Sequence, residues 1–182
     1  MTYDLSLFFA LNGFAGQSTL QDDVIVFVAS YLPFIIIGIV GLYLLRNKSY
    51  SLTGKITALT VAVAAGFIAR FGIGSPIRYF FPRPRPFLSH QVHQLIAEHA
   101  PSFPSGHALF FFAFSTVVFS YEKRLGMLCF ILTILVCAAR VMAGIHYPSD
   151  ILAGAAIGVV CGYLSHKYFT SYIACAARNL YI

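Results

Sequence analysis

LGMLCFILTILVCAARVMAGIHYPSDILAGAAIGVVCGYLSHKY, residues 125–168, decides how this chain is read. Two apolar runs, 125–143 and 149–168, flank a turn that carries Arg140, His146 and Asp150. Each run approaches the roughly 20 helical residues that cross a hydrocarbon core about 30 Å thick. Backbone in lipid must satisfy its own hydrogen bonds, so the runs are expected as helices joined by a polar turn.

Working outward, three more such runs lie at 22–45, 55–78 and 105–121. With 59% hydrophobic and 10% charged residues and a mean hydropathy of +0.80, the composition excludes an ordinary soluble domain. The expected fold is all-α: one integral membrane helical bundle over 1–182 with about five transmembrane helices. MTYDLSLFFALNGFAGQ, the first seventeen residues, has no basic residue, which argues against a cleaved secretion signal and favours an N-terminal interfacial helix.

Basic residues in short loops orient the bundle. Arg46, Lys48, Lys55, Lys123, Arg124, Lys167 and Arg178 mark the cytoplasmic ends, leaving Asp4, Asp22, Asp23, the 79–104 connection and the HYPSD turn on the outer face. The net charge of +6 is thereby accounted for by topology, and no basic stripe interleaved with aromatics suggests nucleic acid. Cys129, Cys137, Cys161 and Cys175 have no CxxC spacing and are read as free thiols.

Arg78, Arg83, Arg85 and Arg140 run against that charge rule, and three polar pieces gather with them on the outer face: RYFFPRPRP (78–86), PSGH (104–107) and ARVMAGIHYPSD (139–150). Two spans separate the second piece from the third, so they share a side. Arginine forks match phosphate oxygens. Ser105 and Gly106 open a helix whose unpaired N–H groups and dipole also favour an anion. His146 precedes Asp150 by four residues, a spacing that lets the carboxylate orient the imidazole as base or nucleophile, while His107 is placed to protonate a leaving oxygen. The plainer roles are an N-cap for Ser105, a helix start for Pro148 and Asp150, and snorkelling for Arg140. Acids on this face are too few for a two-metal site, so no metal or other cofactor is expected. His90, His93 and His99 lack a fourth zinc ligand; His90 and His93, with Arg83, are candidates for substrate contact. Arg70, inside the second span, is either a functional charge or a partner within the bundle.

The spacing resembles the type-2 phosphatidic acid phosphatase superfamily, whose signature is K-x6-R-P, P-S-G-H and S-R-x5-H-x3-D. Here the pieces are Arg78 to Pro86, Pro104 to His107, and Ala139 to Asp150, with Arg78 in place of lysine and Ala139 in place of serine. The resemblance implies that His146 forms a phosphohistidine, Asp150 orients it, and His107 protonates the leaving group and then activates water. Arg78, Arg85 and Arg140, with Ser105 and Gly106, would hold the phosphoryl oxygens. FLSHQVHQLIAEHAPSFPSGH (87–107) is similar to the bacitracin-resistance branch of undecaprenyl diphosphate phosphatases. That likeness implies a lipid diphosphate substrate, no protein partner, and a site facing outward from a bacterial cytoplasmic membrane, where the enzyme recycles the carrier lipid of the cell wall. A phospholipid monophosphate is the alternative substrate, and an anion transporter or channel the alternative class.

Overall fold

The computed structural model describes residues 3–48 and 51–179, with side chains placed through Phe169. Among the described residues every regular element is a helix: α1 (Tyr3–Asn12), α2 (Thr19–Ser30), α3 (Leu32–Arg46), α4 (Leu52–Phe67), a π turn (Ile68–Ile73), α5 (Gly74–Phe80), the single turn α6 (Pro86–Ser89), α7 (Gly106–Tyr121), α8 (Lys123–Met142) and α9 (Pro148–Asn179). Cys175 and Arg178 fall where only the backbone is described; Cys129, Cys137 and Cys161 are free and buried.

Three helices are long and apolar enough to cross a membrane: Leu52–Phe80, Lys123–Met142 and Pro148–Phe169. The expected straight span at 22–45 is instead α2 and α3 meeting at 50°, a fourth crossing if the pair is one span. Pro33 explains the bend, because it has no N–H to give Ala29 and its ring crowds that carbonyl. The freed Ala29 oxygen accepts from Arg140 Nη1 at 3.4 Å, so the break feeds a polar group toward the end of α8.

The fifth expected span, α7, has 16 residues, about 24 Å of helix and short of a bilayer core. Its buried residues include Ala108, Leu109, Phe110, Phe114 and Ser115, which surround the axis, as a helix enclosed by protein requires. Packing against α9 is unusually close. A Cβ at Gly154, Gly158 or Gly162 would lie 2.9 Å from the Ser105 oxygen, 2.7 Å from the Leu109 oxygen or 2.5 Å from the Ala113 oxygen, respectively. Three glycines spaced by four therefore let two backbones touch along one face.

α1 is docked on this bundle. Phe8 is fully buried in a cluster with Val141 and Tyr147. Asn12 donates from Nδ2 to the carbonyls of His93 and Met142, both at 2.8 Å, and accepts from the His93 N–H at 3.1 Å. Helix polarity gathers the end of α5, the starts of α7 and α9, and the end of α8 at one pole. Arg46, Lys55, Lys123, Arg124 and Lys167 lie toward the other.

Gly158→Val should lower the unfolding temperature in detergent by several degrees, at a cost of about 1–3 kcal/mol for forcing the helices apart. Gly38→Val, where a Cβ meets nothing within 4 Å, should leave it nearly unchanged.

Candidate active site

Three sequence pieces meet at the pole where α7 and α9 begin. The Ser105 N–H donates to the Asp150 carbonyl at 3.1 Å, tying the two helix starts together. Ser105 is buried and its hydroxyl accepts from the Ala108 N–H at 3.5 Å, the geometry of an N-cap. At the end of α8, Gly144 takes φ +77°, and a Cβ there would also lie 2.5 Å from the His93 carbonyl oxygen. Glycine thus permits both the left-handed turn and the close loop that deliver His146.

Asp150 is fully buried. Its Oδ1 accepts from Arg83 Nη1 at 2.7 Å; its Oδ2 accepts from the Tyr147 N–H at 2.8 Å and from the Ser102 hydroxyl. His146 Nδ1 faces the same Oδ2 at 3.5 Å, long for a hydrogen bond, as catalytic contacts often are without substrate. The other ring nitrogen, Nε2, lies 3.5 Å from Arg85 Nη1. Burial pushes the imidazole down to about 4, with Arg140 and Arg85 adding to the effect and Asp150 opposing it. At neutral pH the ring is uncharged, so a lone pair is available for attack.

The expected phosphate ligands form a basic cleft in front of His146. Arg85 is braced by the Ala100 carbonyl at Nε (2.6 Å) and the Ile145 carbonyl at Nη1 (2.7 Å). Arg140 Nη2 donates to Glu98 Oε1 at 2.7 Å, and Arg85 Nη2 lies 3.6 Å from Glu98 Oε2. Although burial raises the Glu98 carboxyl, Arg140 and then Arg85 outweigh it and hold the group low. An internal oxyanion thus bridges the two arginines. Arg78 Nη2 reaches the Arg70 carbonyl at 3.4 Å. His107 stacks on Phe111 and has Arg140, Arg70, His146 and Arg85 as its charged or titratable neighbours. Ala139 is buried in an apolar cluster with Ile25, Ala29 and Ile145.

Other candidates are employed differently. Arg83, expected to contact substrate, has its guanidinium on Asp4, Ser149 and Asp150 and lies 4.1 Å from the Tyr147 ring centroid. His90 packs edge-on to Phe9 and Tyr147, and the His93 ring lies against Gly16, both on the α1 side. Among the described residues, no three His, Cys, Asp or Glu side chains are grouped to hold a metal ion.

Asp4 is the residue that sequence reading missed. Its Oδ1 accepts from the Ser149 N–H at 2.9 Å, and its Oδ2 accepts from the Ser149 hydroxyl at 2.6 Å and Arg83 Nη2 at 3.0 Å. Burial would raise this carboxyl, but the Ser149 hydrogen bonds and Arg83 bring it below its usual range. Asp4, Arg83 and Asp150 form an acid, base, acid row behind the imidazole. Only the unpaired acid in an apolar N-terminal helix hinted at this. Ser102 and Glu98 were similarly hidden in a loop without periodicity.

The profile of the PAP2 superfamily matches residues 54–173. Undecaprenyl-diphosphatase BcrC of Bacillus subtilis is 28% identical over 92% of this chain and 84% of its own length. Bacitracin transport permease protein BcrC of Bacillus licheniformis is 27% identical over 86% and 76%, respectively. Among solved structures, Aquifex aeolicus LpxE superposes with a TM-score of 0.72 at 28% identity, covering 92% of this chain and 97% of that one.

Asp4→Asn should slow phosphate release about tenfold, near the worth of one charge-assisted hydrogen bond. Comparison of kcat and KM should locate the loss in kcat, because Asp4 holds Arg83, which in turn holds Asp150 behind His146.

Proposed function

The chain belongs to the PAP2 superfamily, and we propose that within it the protein is a lipid phosphatase that cleaves undecaprenyl diphosphate to undecaprenyl phosphate and inorganic phosphate. The observation that carries this reading is the Glu98 carboxylate held between Arg85 and Arg140 beside a buried, neutral His146. A terminal phosphoryl group taking that place puts phosphorus before Nε2.

Attack forms the N–P bond as the bridging P–O bond breaks, and the electron pair leaves with the lipid monophosphate. Burial and the neighbouring arginines keep the free His107 uncharged; the negative charge of a bound phosphate offsets them, so the ring takes a proton from solvent and gives it to that oxygen. The phosphohistidine carries positive charge on its ring, which Asp150 offsets from behind, and Arg83 pairs with the other oxygen of that carboxylate. His107 then takes a proton from water, the water oxygen attacks phosphorus, and inorganic phosphate departs. The arginines neutralise the charge that gathers on the equatorial oxygens in both steps. None of these steps calls on a metal ion.

The diphosphate assignment draws support from the relative named undecaprenyl-diphosphatase and from the 87–107 loop. Basic residues at the far pole support an outward-facing site in a bacterial cytoplasmic membrane, where recycling of the carrier lipid is needed. The other relative's name, a transport permease, makes flux the rival activity. A buried histidine backed by a carboxylate favours hydrolysis, since anion selectivity needs charge but no nucleophile.

Protein in detergent with excess chelator should release phosphate from undecaprenyl diphosphate faster than from phosphatidylglycerophosphate or phosphatidate. His146→Ala should reduce release by about 10³-fold or more. Anion flux without hydrolysis overturns the reading, and equal rates on all three lipids overturn its substrate.

The pH profile tests the nucleophile. Protonation removes its lone pair, so kcat/KM should fall as pH drops through about 4, whereas an unperturbed histidine would lose activity near 6.5. An acid limb near 6.5 would show that the working imidazole is not the buried one.

A further inference from the structure

We propose that Arg70 binds the lipid-linked phosphoryl group of a diphosphate substrate and so selects diphosphates over monophosphates. The inference rests on the lipid phosphatase reading and adds a residue that lies outside the three signature pieces.

The helix that carries Arg70 is built to aim it. Ala58, Ala62, Ala65 and Ala69 form a buried row spaced by three or four, and the next buried residue, Gly74, is five further on. The π turn Ile68–Ile73 accounts for the extra residue, and such insertions commonly mark functional positions. Arg70 consequently reaches the start of α7. A Cβ placed on Gly106 would lie 3.3 Å from Arg70 Cζ and 3.3 Å from Arg78 Nη2. Two guanidinium groups therefore converge on one glycine at the positive end of a helix.

No carboxylate pairs with them. Glu98 is in ion-pair contact with Arg85 and Arg140 and acts on Arg78 only from longer range, and among the described residues no carboxylate lies within ion-pair distance of Arg70 or Arg78. Arg70 is offered only the Phe71 ring, 5.4 Å from Cζ to centroid, and Arg78 only the Arg70 carbonyl. Like charges held together in a partly buried cleft repel unless an anion joins them. The site thus has two basic pairs, one bridged by an internal carboxylate and one open.

Placement beside His107 assigns the phosphoryl groups. Arg70 is among the charged neighbours of His107, and its guanidinium meets that of Arg78 at Gly106, apart from the Glu98 bridge between Arg85 and Arg140. A lipid diphosphate whose terminal phosphate takes the Arg85, Arg140 and His146 side presents its linked phosphate to His107 and Arg70. When the bridging bond breaks, negative charge moves to the linked phosphate. There Arg70, a charged neighbour of His107, meets it. A monophosphate has no group at that position.

The test uses the full chain in detergent with a polyprenyl diphosphate and the monophosphate of the same chain. Arg70→Gln should cut kcat/KM for the diphosphate by about 10- to 100-fold, the range of one charge-assisted contact, and cost the monophosphate at least tenfold less. Arg70→Lys, which keeps the charge and loses the fork, should fall between and stands in if the glutamine variant does not fold. Equal losses on both substrates, or no loss on the diphosphate, overturn the proposal. Inactivity of the unmutated protein on both lipids would instead count against the phosphatase reading. Thermal stabilisation by inorganic pyrophosphate then decides on Arg70 alone: it should exceed that by inorganic phosphate, and Arg70→Gln should abolish the difference.

Discussion

A carboxylate with no exposure to solvent governs this structure. Asp150 opens α9 at the edge of an apolar bundle, where an unpaired charge would be prohibitively costly. Each neighbouring segment sends it a donor. The 79–104 connection supplies Arg83 and Ser102, and the turn after α8 supplies the Tyr147 N–H. Satisfying one oxygen pair folds the long loop down, seats the turn, and leaves His146 beside the acid with its far nitrogen facing the cleft. α1 joins through the same logic, since Asp4 balances the Arg83 charge that Asp150 has recruited.

The arginines extend this economy of charge. Arg140 is nearly inaccessible and donates in two directions, to Glu98 and to the carbonyl that Pro33 releases in α2. Glu98 also faces Arg85, so the resting cleft carries its own anion. An incoming phosphoryl group exchanges one oxyanion for another and need not be drawn into a bare cluster of cations. That exchange moderates the affinity of the cleft for an anion.

Much of this architecture was legible in the sequence, and the exceptions share a cause. Apolar runs announced the helices as local patterns, and the two spans between PSGH and the HYPSD turn placed those pieces on one side. The bend at Tyr31 was also written locally, in Pro33, but length and hydropathy obscured it. Asp4, Asn12, Ser102 and the bridging role of Glu98 were not legible, since each acts through a partner at least 40 residues away with no fixed interval. Arg83 has partners that its sequence neighbourhood did not announce. Its place among the other arginines suggested a phosphate contact, and in the structure it pairs with Asp4 and Asp150.

The glycine face of α9 sets the tolerance of this chain to changes in length. Gly154, Gly158 and Gly162 lie against α7 on the same helix that opens with Asp150. One residue inserted between 150 and 154 would turn the carboxylate about 100° relative to that face, because each residue of an α-helix advances by that angle. The two helices could then keep their contact or keep the dyad, but not both. Loss or gain of single residues should therefore be far better accommodated past Gly162, where α9 no longer serves as the ruler between Asp150 and the start of α7.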